Sequence, residues 1–290
     1  MTAKLSIGGV PEHFNLPWQL AIEQQIFSTN NIDVSWQYYK GGTGEMVSAL
    51  KSGELDLAIL LTEGFLSAAA NGLDALIVKE YISSPLVWGI FTGEESAVSS
   101  VYDSYAKRIA ISRLGSGSHL MALIHAEQRG ESLSNYSLIE IKSLQGAVDS
   151  LTKNESDIFY WEKYTTKPHV VSGELRSIGE FSAPWSSFLI VANRKSYETK
   201  KELVLQTISL MEQQCKNFIV NKNTIGELQA RFSMSATDAQ TWLLQTIWNT
   251  KPTLRKQGLL NAASALQKIS TDFLQLPKLE NLVADNLELN

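Results

Sequence analysis

The sequence predicts an α/β protein of two lobes, with extra helices at its C-terminal end. Three observations predict this. From Leu5 to Ala192, short β-rich apolar runs alternate with stretches of helical periodicity. The segment from Met46 to Ile59 lies without a gap on the segment from Ala147 to Tyr160: Val47 meets Val148, Leu50 meets Leu151, Glu54 meets Glu155, Asp56 meets Asp157 and Leu57 meets Ile158. Finally, Arg108 to Ser112 reads as a strand that runs through the small-residue loop Gly115-Ser116-Gly117-Ser118-His119 into a helical pattern ending near Arg129. Each copy of the plan is strand–loop–helix–strand–loop–helix–strand, which implies parallel pairing within each lobe.

Composition narrows the function. The 290 residues are 44% hydrophobic and 19% charged, ordinary for a globular chain. A net charge of -5 with no long Lys/Arg block gives no nucleic-acid footprint. The single cysteine, Cys215, excludes an internal disulfide and any multi-cysteine zinc or iron–sulfur site within one chain. No apolar run reaches the roughly 18 residues of a membrane span, so direct membrane insertion is not expected. Met1 to Lys4 leads straight into Leu5 without a basic segment, apolar core or cleavage site. The expected location is the cytoplasm, or the periplasm if a leader has been removed.

Taken in order, Leu5 to Val10 reads as the first strand, and Pro17 opens a helix carrying Trp18, Ala21, Ile22 and Ile26. Ile32 to Tyr39 is the second strand; Gly41-Gly42-Thr43-Gly44 breaks it, and a helix follows to Gly53. Gly53 and its counterpart Asn154 are the residues best suited to a left-handed helix end. Leu55 to Leu61 is a buried strand, Phe65 to Ala70 a small-residue helix and Ala75 to Glu80 a strand. Pro85 to Thr92 crosses into the second lobe. There Leu138 to Ile141 and Asp157 to Tyr160 are strands, with a helix over Gln145 to Leu151. Ser187 to Ala192 returns to lobe one. Beyond it come a long helix from Ser196, capping boxes at Thr224–Glu227 and Ser235–Asp238, a helix holding Trp242 and Trp248 that Pro252 stops, and a helix over Leu259 to Phe273. The tail after Pro277 is polar and acidic, and no fixed structure is expected of it. The predicted division is 1–86 for the first part of lobe I, 87–187 for lobe II and 188–290 for the return to lobe I, with the C-terminal helices packed on lobe I.

Ligands bind outside the carboxyl ends of strands in open parallel sheets. Two lobes joined by two chain crossings can place those ends face to face. The lining loops are then Val10–Asn15, Lys40–Gly44 and Thr62–Gly64 from lobe I, and Ser112–His119, Lys142–Gln145 and Tyr160–Tyr164 from lobe II. The crossings fall near Ser84–Trp88 and Ala183–Phe188.

The segments Gly41-Gly42-Thr43-Gly44-Glu45-Met46, Ala49-Leu50-Lys51-Ser52-Gly53-Glu54-Leu55-Asp56-Leu57-Ala58 and Ile109-Ala110-Ile111-Ser112-Arg113, in that order and with that spacing, carry a resemblance. The chain resembles a type II periplasmic binding protein, of the group that includes nitrate, sulfonate and taurine receptors and thiamine-pyrimidine synthases. A narrower likeness is to leaderless, cytosolic relatives in fungi and bacteria that have been linked to thiamine-pyrimidine ligands. The resemblance implies reversible binding of a small heteroaromatic or anionic metabolite in an interlobe cleft, with lobe closure and no cofactor. The partner is that small molecule, and a membrane permease if the protein is exported. The fungal synthases' cysteine-rich iron segment is absent, so synthase chemistry is not expected.

Each candidate residue has a plainer reading beside the functional one. Ser116, Gly117, Ser118 and His119, at a helix N-terminus, suit an anion or a ring heteroatom, or are an ordinary cap. Gly41, Gly42 and Thr43 cradle a ligand or simply turn the chain. Glu63 ends a strand and could meet an amino group, or be solvated. Trp161 is placed to stack on a flat ring, with Glu162 accepting from its N–H groups, or else belongs to the core. His13, with Phe14 and Asn15, sits in the first cleft loop and titrates near neutrality, or lies on the surface. Arg113 suits a carboxylate or phosphate, or an interlobe ion pair. Trp185 is a ring platform or a hinge filler. His125, His169 and Cys215 read as structural, and no metal site is expected. Asp56 and Asp157 begin equivalent strands at the ends away from the cleft, which argues against paired acid–base work. The alternative functions are an enzyme on the same fold, in a thiamine-pyrimidine or menaquinone pathway and centred on His13, Glu63 and Glu162, or a cytosolic ligand sensor.

Overall fold

The first strands and helices of the computed structural model follow the predicted alternation; residues 3–103, 107–269 and 276–290 are described. Lobe I opens with β1 (Ala3–Gly9), α1 (Leu16–Glu23), α2 (Ile26–Thr29), β2 (Ile32–Tyr38), α3 (Thr43–Ser52), β3 (Leu57–Leu61), α4 (Thr62–Ala70) and β4 (Ala75–Ile82). Lobe II holds β5 (Val87–Gly93), β6 (Arg108–Ile111), α5 (Gly117–Gln128), β7 (Ser137–Glu140), α6 (Leu144–Thr152), β8 (Ile158–Glu162), α7 (Lys163–Val171) and β9 (Leu175–Ser182). Then β10 (Phe188–Asn193) returns to lobe I, followed by α8 (Arg194–Val220), α9 (Thr224–Phe232), α10 (Ala236–Gln245) and α11 (Lys256–Ile269).

The two five-stranded sheets share one topology: β2-β1-β3-β10-β4 and β7-β6-β8-β5-β9. In lobe I, β1 pairs in parallel with β2 and β3. In lobe II, β6 pairs in parallel with β7 and β8. The fourth strand of each sheet departs from the expected parallel pairing. Strand β10 is antiparallel to β3 and β4, and β5 is antiparallel to β8 and β9. The reason lies in the connections. Each of these strands is reached directly from the other lobe, so no crossover helix turns the chain to run parallel.

The internal echo has a physical cause. The Asp56 carboxylate accepts from the Ser6 backbone N–H at 2.9 Å, while the Asp56 N–H donates to the Ser6 carbonyl at 2.9 Å. Asp157 repeats this with Arg108, at 2.6 Å and 2.7 Å. Each carboxylate therefore ties the start of its own strand to the neighbouring one, at the middle of β1 and at the first residue of β6. Gly53 and Asn154 both take left-handed conformations, at φ 77° and 54°. Lys200 pairs with Asp56 at 2.8 Å, and Arg108 with Asp157 at 2.6 Å.

The helix expected to hold Trp242 and Trp248 up to Pro252 ends at Gln245, with Trp248 beyond it bridging Ile82, and helix α7 and strand β9 escaped the sequence reading. Helix α7 carries β-branched residues and Pro168 in its interior, which mask helical periodicity. Strand β9 is an edge strand in which only Leu175 and Phe181 are buried, so its apolar signal is weak. Of the expected C-terminal helix, 270–273 lie outside the described residues. The box at Ser235 forms, its Oγ accepting from the Asp238 N–H at 3.1 Å; that at Thr224 does not, because Asn223 is the cap position and Thr224 Oγ1 instead donates to the Phe218 carbonyl. The tail past Pro277 is placed against β4, correcting the expectation for it: Ile77 donates to the Leu282 carbonyl and accepts from Ala284, with Leu279, Leu282 and Ala284 buried.

The C-terminal helices do more than cover lobe I. Helix α11 packs on both α4 and α5, one from each lobe. Lys268 pairs with Glu127 of α5 at 3.0 Å, and Lys167 of α7 pairs with Asp238 of α10 at 2.5 Å. Just before α11, Arg255 reaches the Ser83 carbonyl in one crossing, Ser186 Oγ in the other at 3.0 Å and buried Glu80 at 3.1 Å.

Replacing Asp157 with Ala strips the Lys107 and Arg108 backbone N–H groups of their acceptor. The expected loss is about 2 kcal/mol, the usual scale for charge-assisted bonds to buried donors. Urea unfolding checks it, with faster amide exchange expected along Arg108–Ile111.

Candidate ligand-binding cleft

The carboxyl ends of the parallel strands in both lobes meet around one cavity of about 310 Å³. Its apolar floor is built from Met46, Ile59 and Leu61 of lobe I, Leu86 and Trp88 at the first crossing, and Phe188 at the second. Helices follow these strands, so their N-termini come to the same place. The first turns of α3, α5 and α6 start at Thr43, Gly117 and Leu144, and all three residues line the wall. The free N–H groups and dipoles there favour negative charge.

The lobes touch across the cavity. Gly117 is wedged between the lobes: a β-carbon on it would lie 3.0 Å from Leu61 Cδ1 of lobe I and 2.6 Å from Trp88 Cη2 at the first crossing of its own lobe. The Arg113 guanidinium of lobe II lies against the backbone of Gly44 in lobe I, in the space a β-carbon there would need. Burial lowers the Arg113 pKa, an effect that Glu45 and Glu140 oppose.

The serine loop is a closed hydroxyl cluster. Ser116 caps α5, accepting from the His119 N–H at 3.4 Å, and its Oγ lies 3.0 Å from Ser118 Oγ. Ser118 Oγ accepts from the Ser112 N–H at 2.9 Å. All three serines face the cavity. His119 does not, because its Nδ1 accepts from the Gly115 N–H at 2.9 Å and turns the ring aside. Burial holds its pKa down.

Glu162 ends β8 and caps α7, its Oε2 accepting from the Thr165 N–H at 2.7 Å and from Oγ1 at 2.8 Å. Burial raises its carboxyl to about 7 despite those bonds. Glu12, from the β1 loop of the other lobe, is half-buried and lines the same cavity. Burial, and then the charge of Glu162, push it to about 8. Beside Glu162, Trp161 lines the wall stacked on Phe159 at 5.2 Å, and its Nε1 has no hydrogen-bond partner.

Of the residues that the sequence nominated, Gly41, Gly42, Thr43, Arg113, Ser116, Gly117, Ser118, Trp161 and Glu162 are on the wall. His13, Phe14, Asn15, Glu63, His119 and Trp185 are not. His13 and Phe14 are packed under the wall against Trp242, at ring distances of 4.6 Å and 5.4 Å. Burial drives His13 to a pKa of about 3, so it is neutral, and its unpartnered Nε2 lies 3.7 Å from Glu162 Oε1. That contact is therefore no ion pair at neutral pH. Asn15 Nδ2 donates to the Val10 carbonyl at 2.8 Å and pins the loop from within. Trp185 Nε1 donates to Glu63 Oε2 at 2.9 Å, while the buried Oε1 has no hydrogen-bond partner; burial raises Glu63 to about 7. The sequence reading did not single out Trp88, Lys40, Lys142 or Glu12 as ligand contacts. The strand-end rule reaches the last three, since each closes a strand whose end faces the cleft. Trp88, inside a crossing strand, gave no signal beyond core-like hydrophobicity.

Known proteins of the same shape agree with this geometry. A family model described as Ca3427-like PBP matches residues 88–181. A solved structure of the Candida albicans CA3427 product, described as having the generic periplasmic-binding-protein fold, superposes with a TM-score of 0.87 at 25% identity, covering 99% of this chain and 98% of that one. The alkanesulfonate-binding protein SsuA of Xanthomonas axonopodis pv. citri, bound to MOPS, gives 0.80 at 19% identity over 99% of each chain. The aliphatic sulfonate-binding SsuA of Escherichia coli gives 0.75 at 16%, over 100% of this chain and 94% of that one. No curated protein matches the sequence. The chain is thus a two-lobed protein of the periplasmic-binding-protein fold. Within that fold, its second lobe matches the Ca3427-like family.

The raised carboxyls make stability pH-dependent. The closed native protein holds protons on Glu12 and Glu162 that the unfolded chain releases above about 4.5, the ordinary value. Fewer protons on the unfolded side means stability falls as pH rises. The contribution is complete below 4.5, and is lost as pH climbs through 7 and 8. Above the ordinary histidine value near 6.5, where the unfolded chain no longer protonates His13 and His119, only the carboxyl effect remains, so melting temperatures between pH 7 and pH 9 should decline for the native protein and decline less for Glu12→Gln.

Proposed function

We propose that this protein is a small-molecule-binding protein that holds a heteroaromatic or anionic metabolite, such as a thiamine-pyrimidine-like compound, between its lobes. The observation that carries this reading is the interlobe cavity of about 310 Å³, where three helix N-termini and Arg113 meet an apolar floor and the indoles of Trp88 and Trp161. Such a site offers dipoles and N–H donors to an anion and flat faces to a ring. The neighbours' sulfonate ligands support the anionic half of the reading, and the indoles support the aromatic half. Binding is favoured over turnover because the histidine nominated as a reacting centre, His13, is buried behind the wall and neutral. The small molecule is the partner proposed; a permease would be one for an exported form only.

Titration with pyrimidines, sulfonates and carboxylates tests it. A true ligand shifts the fluorescence of Trp88 or Trp161 and stabilises the protein by about 2.7 kcal/mol at a hundredfold excess over its dissociation constant. No response across the panel overturns the reading, and a ligand recovered in altered form would favour an enzyme instead.

Gly117→Val should weaken any ligand found in this way by about tenfold or more, since the added carbons push lobe I away at Leu61 and displace the Trp88 indole that lines the cavity. Calorimetry reads the affinity, and an unchanged far-ultraviolet circular dichroism spectrum shows that the fold has survived.

A further inference from the structure

The two lobes meet at a cluster of titratable side chains that has no cation bonded to it. Glu12 and His13 come from the loop after β1 in lobe I, and Glu162 ends β8 in lobe II. His13 and Glu162 are 2% and 4% exposed, and Glu12 is half-buried. His13 Nε2, which has no hydrogen-bond partner, lies 3.7 Å from Glu162 Oε1 across the lobe boundary. Among the described residues, neither carboxyl has a Lys or Arg within ion-pair distance. The nearby charges are engaged elsewhere. Lys163 pairs with Glu180 at 2.7 Å, and Lys167 with Asp238 of α10 at 2.5 Å. The Tyr164 hydroxyl donates to Gln245 Oε1 at 3.3 Å, and burial pushes its pKa up to about 12. Phe14, Tyr164, Phe232 and Trp242 box the His13 ring. Lys40, Arg113 and Lys142 line the same cavity without bonding either carboxyl.

Two ionised carboxylates are poorly suited to this space. Each loses water when the lobes shut, and each repels the other through a medium that screens weakly. A proton on each carboxyl removes both costs. Parting the lobes takes Glu162 away from Glu12 and His13 and returns all three to water, where a carboxyl ionises at its ordinary value. Burial in the closed form places Glu12 at about 8 and Glu162 at about 7. His13 works in the opposite direction, because burial drives it to about 3 and only the open form can protonate it near 6.5.

We propose that opening of the lobes is coupled to proton release: the closed cleft keeps protons on Glu12 and Glu162, and parting of the lobes discharges them to bulk water. Rising pH above the histidine range therefore favours the open form. The coupling concerns the lobes alone and holds whatever molecule occupies the cleft. It makes pH a control on how much of the empty protein stands ready to admit a guest.

Single-molecule energy transfer on the ligand-free full chain tests the coupling. Lys51→Cys and Lys153→Cys put one dye on each lobe at exposed positions outside the cavity wall, and the buried Cys215 takes none. Between pH 7 and pH 9 the ratio of closed to open molecules should fall about tenfold, as the two carboxyls lose their protons. In Glu12→Gln/Glu162→Gln the ratio should change by less than about twofold over the same range. Glu12→Gln alone leaves the Glu162 cap on α7 in place and should lose most of the fall. An unchanged far-ultraviolet circular dichroism spectrum shows that each variant is folded. A ratio that stays flat from pH 7 to pH 9 in the native chain, or a fall that persists in the double variant, overturns the inference. A ligand found by the panel above, with a flat ratio here, leaves the binding reading standing and this one fallen.

Discussion

The structure depends on bringing two sets of strand ends into mutual contact without leaving their charges stranded. Each parallel strand delivers a loop and a helix N-terminus to its carboxyl end, so two such sheets facing one another concentrate backbone N–H groups in a small, partly dry space. Arg113, a cation, adds to that positive field instead of cancelling it. The acidic groups inside the wall are Glu12 and Glu162, and burial holds both carboxyls high, so they do not cancel that field by ionising readily. The closed cleft is thus a balance between helix dipoles that want an anion and carboxyls that resist becoming one.

The duplicated plan sets where that balance can be built. The Asp56 and Asp157 carboxylates look like a catalytic pair on paper, but each is used up by backbone amides of the neighbouring strand, away from the cleft. This leaves the near ends free of structural duty. Even there, much of the polar chemistry is internal. Ser116 and Ser118 satisfy each other and their neighbours, Glu63 is occupied by Trp185, and His119 by Gly115. A cap and a ligand contact are not exclusive, since the Ser116 hydroxyl still faces the cavity while it caps α5.

The two-lobed plan was legible because its cause is local: apolar runs of strand length, left-handed helix ends at Gly53 and Asn154, and an aspartate before each inner strand. The candidate site was legible at the level of loops, because strand ends face the cleft by construction. Which side chain of a loop turns inward was not. His13 and Glu12 are adjacent, yet one is clamped under Trp242 and the other opens onto the cavity, a choice made by helices more than two hundred residues later in the chain. Helix α7 was hidden by Pro168, and the reach of α11 across both lobes is a tertiary fact with no sequence signature.

That reach has a mechanical consequence. Arg255 ties both connectors together, and α11 lies across one helix from each lobe, so the two halves cannot swing apart as free flaps on a pair of loops. Any parting of the lobes has to slide α5 along α11 or release the helix altogether. The time a guest spends inside is then governed less by its own grip on the walls than by how readily this bolt slips.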